Sequence, residues 1–204
     1  MELDKYIRNC YRVLPALSRI SRPWEITGSA TELVCRLVED LNPDDFRISS
    51  GVGVHRTANI ESGVTIKGCA VIGKDCFVGA GAYLRGGVYL SEGVSVGPGC
   101  EIKASFIFGR SRIAHLNFIA DSLVGEDVNF EAGSVIANFF NEAERDIELL
   151  IDGRIVRTGV RKFGAIVGDR CRIGANAVLD PGSVLPPGRI VRRLEHYDQF
   201  RRPG

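Results

Sequence analysis

The chain has 204 residues, 45% of them hydrophobic and 25% charged, with a formal net charge of +1. This is ordinary soluble-protein usage, with enough apolar content for one substantial core and a modest appendage. The near-zero charge supplies no general field for nucleic acid or an anionic membrane, no run of 18 apolar residues offers a membrane span, and MELDKYIRNC lacks the apolar run of a signal peptide. A cytoplasmic protein that binds neither nucleic acid nor membrane is expected.

Residues 1–46 read as a helical N-terminal cap. Leu3 to Ile20 is expected to be helical up to Pro15. In TGSATELVCRLVEDL, Ser29 is placed as N-cap with Glu32 as its capping-box partner, ahead of an apolar stripe of Leu33, Val34, Leu37, Val38 and Leu41. Asn42-Pro43 ends that helix.

From residue 47 the pattern changes. Ile48, Val54, Ile60, Ile66, Ile72, Val78, Leu84, Leu90, Val96 and Ile102 recur every six positions, and four residues after most of them comes a smaller one such as Ala58, Cys76, Ala82 or Cys100. Neither a helix nor a flat strand repeats at six. Three hexads make one triangular coil of a β-helix, so the fold class is an all-β solenoid over residues 47–191. The helical segment before it is expected to cover its open first coil, since a bare solenoid end is an edge-pairing hazard. The register slips twice, continuing through Ile107, Ile113, Ile119, Val124, Phe130 and Ile136, and resumes at Val167, Ile173, Leu179, Leu185 and Val191. Between them lies an insertion, about 139–163. Within it, Ile147 to Arg157 alternates around Asp152-Gly153, which suits a type I′ turn and a protruding β-hairpin. Residues 192–204 form a locally basic tail with Arg192, Arg193, Arg201 and Arg202.

Cys76, Cys100 and Cys171 fall at the small inward position, where core packing accounts for them. Cys10, Cys35 and Cys69 are scattered without metal-ligand spacing, so no metal site is expected.

Residues 84 and 102 are three hexads apart, which puts Arg85 and Lys103 at the same corner of successive coils, about 4.8 Å apart. Either an anion such as phosphate bridges these like charges or both splay into solvent. On this reading, removing either cation leaves stability level or slightly raised. His115 follows Ile113 by two and therefore sits on a corner, outside the core. It is either a surface histidine or part of a polar cluster with Asn129 and Asn138 around the coil that receives the insertion.

The strings LRGG, EIKAS, AHLNFIADSLVGEDVNFEAGSVIAN and RKFGAIVGD resemble the acetyltransferase half of bifunctional glucosamine-1-phosphate acetyltransferase/N-acetylglucosamine-1-phosphate uridyltransferase. That family consists of left-handed parallel β-helices of hexapeptide repeats. The left hand comes from this resemblance, since ordinary crossovers are right-handed. The resemblance implies His115 as general base, Arg85 and Lys103 on the sugar phosphate, Asn129 and Asn138 positioning the amino sugar and acetyl group, and Ala175 beside the acetyl-CoA thioester with a backbone NH for the oxyanion. Lys162 matches the family's loop lysine in its longer-loop version. Phe118 and Phe139 stand where the family has tyrosine, and Glu131 where it usually has glycine. No glycine-rich nucleotide loop precedes the β-helix, so no nucleotidyltransferase domain is expected. A homotrimer using acetyl-CoA to acetylate an amino-sugar 1-phosphate, such as glucosamine 1-phosphate, is implied. A nucleotide-linked acceptor and a catalytically inactive trimeric scaffold remain as alternatives.

Overall fold

The computed structural model describes residues 2–201. The hexads wind a left-handed parallel β-helix whose coils stack in register on three faces. On the first face Val54, Ile72, Leu90, Ile107, Val124, Val167 and Leu185 point inward. On the second, Ile66, Leu84, Ile102, Ile119, Ile136, Leu179 and Tyr197 do so. The third is a seven-stranded sheet with Ile60, Val78, Val96, Ile113, Phe130, Ile173 and Val191 inside. Both register slips and the resumption after the insertion fall as the spacing predicts. Cys76, Cys100 and Cys171 are free and buried in this core.

The ladder differs from expectation at its ends. Ile48 does not enter the core. It lies in Phe46–Ser49, which pairs antiparallel with Val52–His55 around Ser50-Gly51, and is 44% exposed. At the other end His196–Tyr197 pairs with Val178–Leu179, so the segment read as a tail continues the solenoid with Tyr197 in an inward place. Arg202 lies outside the described residues.

The first face carries a second core on its outer side. Val71, Phe106, Leu123, Ile166 and Val184 each precede an inward aliphatic and point outward, where the N-terminal segment and the insertion bury them. The helices therefore lie along this covered face rather than over the solenoid's end. Leu3 to Ile20 is not one helix but short pieces, a 3-10 turn Leu3–Lys5, α1 (Cys10–Val13) and a 3-10 stretch Pro15–Arg19. They are followed by α2 (Pro23–Gly28) and α3 (Ala30–Glu39). Ser29 stands before α3 but makes no capping bond, because α2 runs almost directly into α3, and Glu32 pairs with Arg36 instead. Gly87 (φ +88) permits the contact with α3, as a Cβ there would fall 2.3 Å from the Ala30 carbonyl carbon. Cys35 of α3 is disulfide-bonded to Cys69 on the solenoid, a pairing their spacing did not announce.

The insertion forms the expected hairpin, Glu148–Ile151 with Arg154–Arg157, turning on Asp152 and Gly153 with positive φ at both. It does not protrude. Ile147, Leu149 and Phe163 are fully buried in the outer core, and Trp24 meets Phe163 edge to face at 6.5 Å. Alternation gave the strands, while the apolar half of that alternation folds them onto the face. No helix among the described residues is long and apolar enough to cross a membrane.

Candidate functional site

Arg85 and Lys103 are register partners on the second, open face, at its corner with the covered face. Neither charge stands without a counterion. Arg85 Nε donates to Glu101 Oε1 at 2.7 Å, and Lys103 Nζ donates to Asp121 Oδ2 at 2.6 Å. The Asn138 amide donates to the same carboxylate oxygen. This corrects the like-charge picture: each stacked cation has a carboxylate beside it, supplied from the next strand or corner along the stack. The lysine pair is the better shielded, with side chains 19% and 10% exposed against 35% and 32% for the arginine pair.

The insertion leaves and re-enters the solenoid at this corner. Phe163 NH donates to Asn138 O at 3.0 Å and Gly164 NH to Asp121 O at 2.9 Å, so exposed Lys162 adjoins the network through the chain. Sequence reasoning missed Lys67. It precedes Arg85 by one coil and pairs with it in register, and the arithmetic that stacked residues 84 and 102 applies equally to 66.

His115 lies at the opposite corner of the open face, exposed, followed by Leu116 at φ 55 where neighbouring coils place glycine. Its backbone is fixed from beneath. Buried Asn117 donates to His115 O at 3.1 Å and accepts from Ser134 NH at 2.9 Å, while Gly133 NH donates to the same His115 carbonyl at 2.9 Å. The imidazole makes no hydrogen bond among the described residues. Phe118 sits half-buried on the open face nearby.

Ala175 occupies the His115 corner two coils farther on. Its NH donates to Glu131 Oε2 at 2.9 Å, and Arg193 clasps that carboxylate at 2.7 and 2.6 Å. The Arg193 hydrogen bond, with that of Ala175 next, holds the Glu131 carboxyl below its usual value. Glu131 thus engages the NH to which the resemblance gives an oxyanion role.

Asn129 lies on neither corner. It stands on the third face between Arg112 and Arg172, in a groove of about 1020 Å³ that Arg192 and Arg193 also line. The structure therefore brings Arg85, Lys103, Asn138 and Lys162 together and His115 near Ala175, with Phe118 between the two groups and Asn129 around the edge. About 16 Å of extended chain separates His115 from the cationic corner, at roughly 3.3 Å per residue.

The family model described as the GMPPB C-terminal domain matches residues 48–137 and 78–196. The chain is 34% identical over 191 residues to a bifunctional sugar-1-phosphate nucleotidylyltransferase/acetyltransferase of Sulfurisphaera tokodaii, covering 89% of this chain and 47% of that protein. It is 33% identical over 190 residues to the bifunctional protein GlmU of Methanococcus vannielii, covering 84% and 42%. The chain thus spans less than half the length of either relative. Among solved structures, a hexapeptide transferase family protein from Anaplasma phagocytophilum overlaps 71% of this chain and 72% of its own, at 21% identity and a TM-score of 0.43.

Proposed function

Because the chain belongs to the family of the GMPPB C-terminal domain, we propose that it is an acetyl-CoA-dependent N-acetyltransferase acting on an amino-sugar 1-phosphate, with glucosamine 1-phosphate the leading acceptor. The observation that carries this reading is the cationic corner, where Arg85 and Lys103 stack in register beside Asn138 and Lys162. Such a corner suits a phosphorylated acceptor, since charge-assisted bonds from stacked cations to one phosphate are among the stronger polar contacts. The relatives' acetyltransferase names support the reaction class.

In this reading His115 accepts a proton from the acceptor amine as its nitrogen attacks the thioester carbonyl carbon. The C–N bond forms, the C–S bond breaks, and the proton passes on to the departing thiolate. The Ala175 NH stabilises the oxyanion once Glu131 releases it. Asn129 and Asn138 orient the sugar and acetyl group, and Phe118 packs against the acceptor without the hydroxyl that the family's tyrosine supplies. No metal has a part in this chemistry.

A homotrimer completes the site. The open face is flat and its two corners are too far apart to grip one small acceptor, so the His115 corner needs the cationic corner of a neighbour. The chain's own helices and hairpin cover the first face. The two most exposed large apolar side chains, Leu116 at 71% and Leu194 at 79%, lie at the corner where the other two meet. A neighbouring subunit there would bury them. A cytoplasmic location suits the acetyl-CoA requirement.

The test measures release of CoA thiol from acetyl-CoA with amino sugars offered free, 1-phosphorylated and nucleotide-linked. Release with the 1-phosphate is expected. His115→Ala should lower kcat by about 10²–10⁴-fold, the usual worth of a positioned general base, without affecting folding. If no acceptor releases CoA, the proposal fails and the inactive scaffold takes its place; if His115→Ala turns over at the wild-type rate, His115 is not the general base.

A further inference from the structure

The column of cations on the open face begins one coil before Arg85. Register pairing places Lys67, Arg85 and Lys103 in one line, about 4.8 Å from one to the next. Their surroundings differ. Lys103 turns inward to Asp121 and Asn138, and Arg85 is tied to Glu101. Lys67 is exposed and makes no ion pair or hydrogen bond among the described residues.

The open space lies beside Lys67 too. A cavity of about 620 Å³ is lined by Lys67, Gly68, Tyr83, Arg85, Gly86 and Glu101. Gly68 and Gly86 turn the corner at φ +91 and +70, a conformation that favours glycine, and leave no side chain between the two cations. The corner is also held in place: Cys69, next to Gly68, is bonded to Cys35 of α3, and its carbonyl accepts from Val88 NH at 3.2 Å. With Glu101 offsetting Arg85, Lys67 is the uncompensated charge in the cavity.

We propose that Lys67 is a further phosphate-binding residue. It closes on a phosphoester oxygen together with Arg85 from the open side, while Lys103, paired with Asp121, holds that carboxylate and Asn138 in place on the buried side. The proposal rests on the cationic-corner reading above and adds the residue that faces the space where the phosphate enters. Two donors one coil apart match an anion whose oxygens accept in several directions, and an unpaired ammonium gives up no existing partner to bind it.

The experiment titrates inorganic phosphate into the full chain by calorimetry at low ionic strength, with wild type, Lys67→Met, Lys67→Arg and the control Lys74→Met. Lys74 sits on a different corner beside Glu92. Lys67→Met should bind phosphate at least about threefold more weakly, Lys67→Arg should restore most of the affinity, and Lys74→Met should match wild type. The gap should narrow in 0.5 M salt. Where CoA release is observed, Lys67→Met should raise the acceptor KM by a similar factor and leave kcat and the acetyl-CoA KM unchanged. Wild-type phosphate binding that is absent, unchanged in Lys67→Met or equally weakened in Lys74→Met overturns the proposal. Phosphate binding that depends on Lys67 in a protein releasing no CoA would instead sink acetyl transfer and leave the anion site standing.

Discussion

Replacing Lys103 with alanine is expected to destabilise the protein by about 2 kcal/mol, opposite in sign to what stacked like charges alone imply. Breaking a fully buried ion pair costs roughly 3–5 kcal/mol, because the remaining charge loses its partner but not its burial. Exposed pairs are worth about 0.2–1 kcal/mol. Lys103 and Asp121 are 19% and 10% exposed, much nearer the first case. The Asn138 amide stays on the Asp121 carboxylate and softens the loss. The Arg85–Glu101 pair, at 35% and 32% exposure, should cost below about 1 kcal/mol when Arg85→Ala is made. Urea unfolding reads both, and about 2 kcal/mol should move the Lys103→Ala midpoint down by about 1 M with the slope unchanged. Adding Asp121→Asn should recover much of the loss, since the stranded charge is then gone. A Lys103→Ala protein as stable as wild type, or more stable, would refute the reasoning and restore the picture of two crowded cations.

Further outcomes are expected at Glu131 and at the cysteines. Glu131→Gly frees the Ala175 NH and should raise kcat for acetyl transfer several-fold, a part of the roughly 10²–10³ that an oxyanion donor is worth; a fall in kcat would mean that Glu131 orients the site rather than obstructing it. Burial pushes the Cys76 and Cys171 thiols up to about 11 and that of Cys10 up to about 12. The native protein should therefore be inert to a thiol reagent at pH 8. Unfolding should expose four reactive thiols without reductant and six with it, and Cys35→Ser, which opens a closure of 34 residues, should cost up to about 4 kcal/mol. Six thiols without reductant would remove the cross-link.

What could be read in advance depended on how strictly each residue's place is dictated. An inward hexad position tolerates little but an aliphatic, so the ladder from Val54 to Val191 and both slips were legible. Ile48 fits the same spacing, yet spacing alone cannot tell a coil from an antiparallel strand that precedes it. The outer core was written in the sequence as well. Val71, Phe106, Leu123, Ile166 and Val184 are apolar where an uncovered face would be polar, and a check of outward positions at the same period would have placed the helices on that face. Lys67 was available by the same count. The partners of the cations were not, because Asp121 reaches Lys103 from the next coil's corner and Glu101 reaches Arg85 from the adjacent strand, contacts set by side-chain direction rather than by period. The Glu131 grip on Ala175 spans 44 residues and an insertion, and nothing local signals it.

The docking of the N-terminal segment sets an order of events during synthesis. Tyr6 O accepts from Asp169 NH, Arg8 NH donates to a carboxylate oxygen of the same Asp169, 161 residues away, and Trp24 packs on Phe163. At about 5–20 residues per second, a ribosome takes roughly 10–30 s to supply those partners. Each coil needs only its predecessor, so the solenoid can extend as it emerges. The helical segment must wait for coils made some 161 residues later. During that interval Leu3, Ile7 and Trp24 lack their final neighbours, and the growing face still shows Phe106 and Leu123. A nascent chain of this protein is thus most exposed to chaperone capture, or to self-association, until the coils that carry Phe163 and Asp169 emerge, and the segment from Leu3 to Trp24 settles only after them.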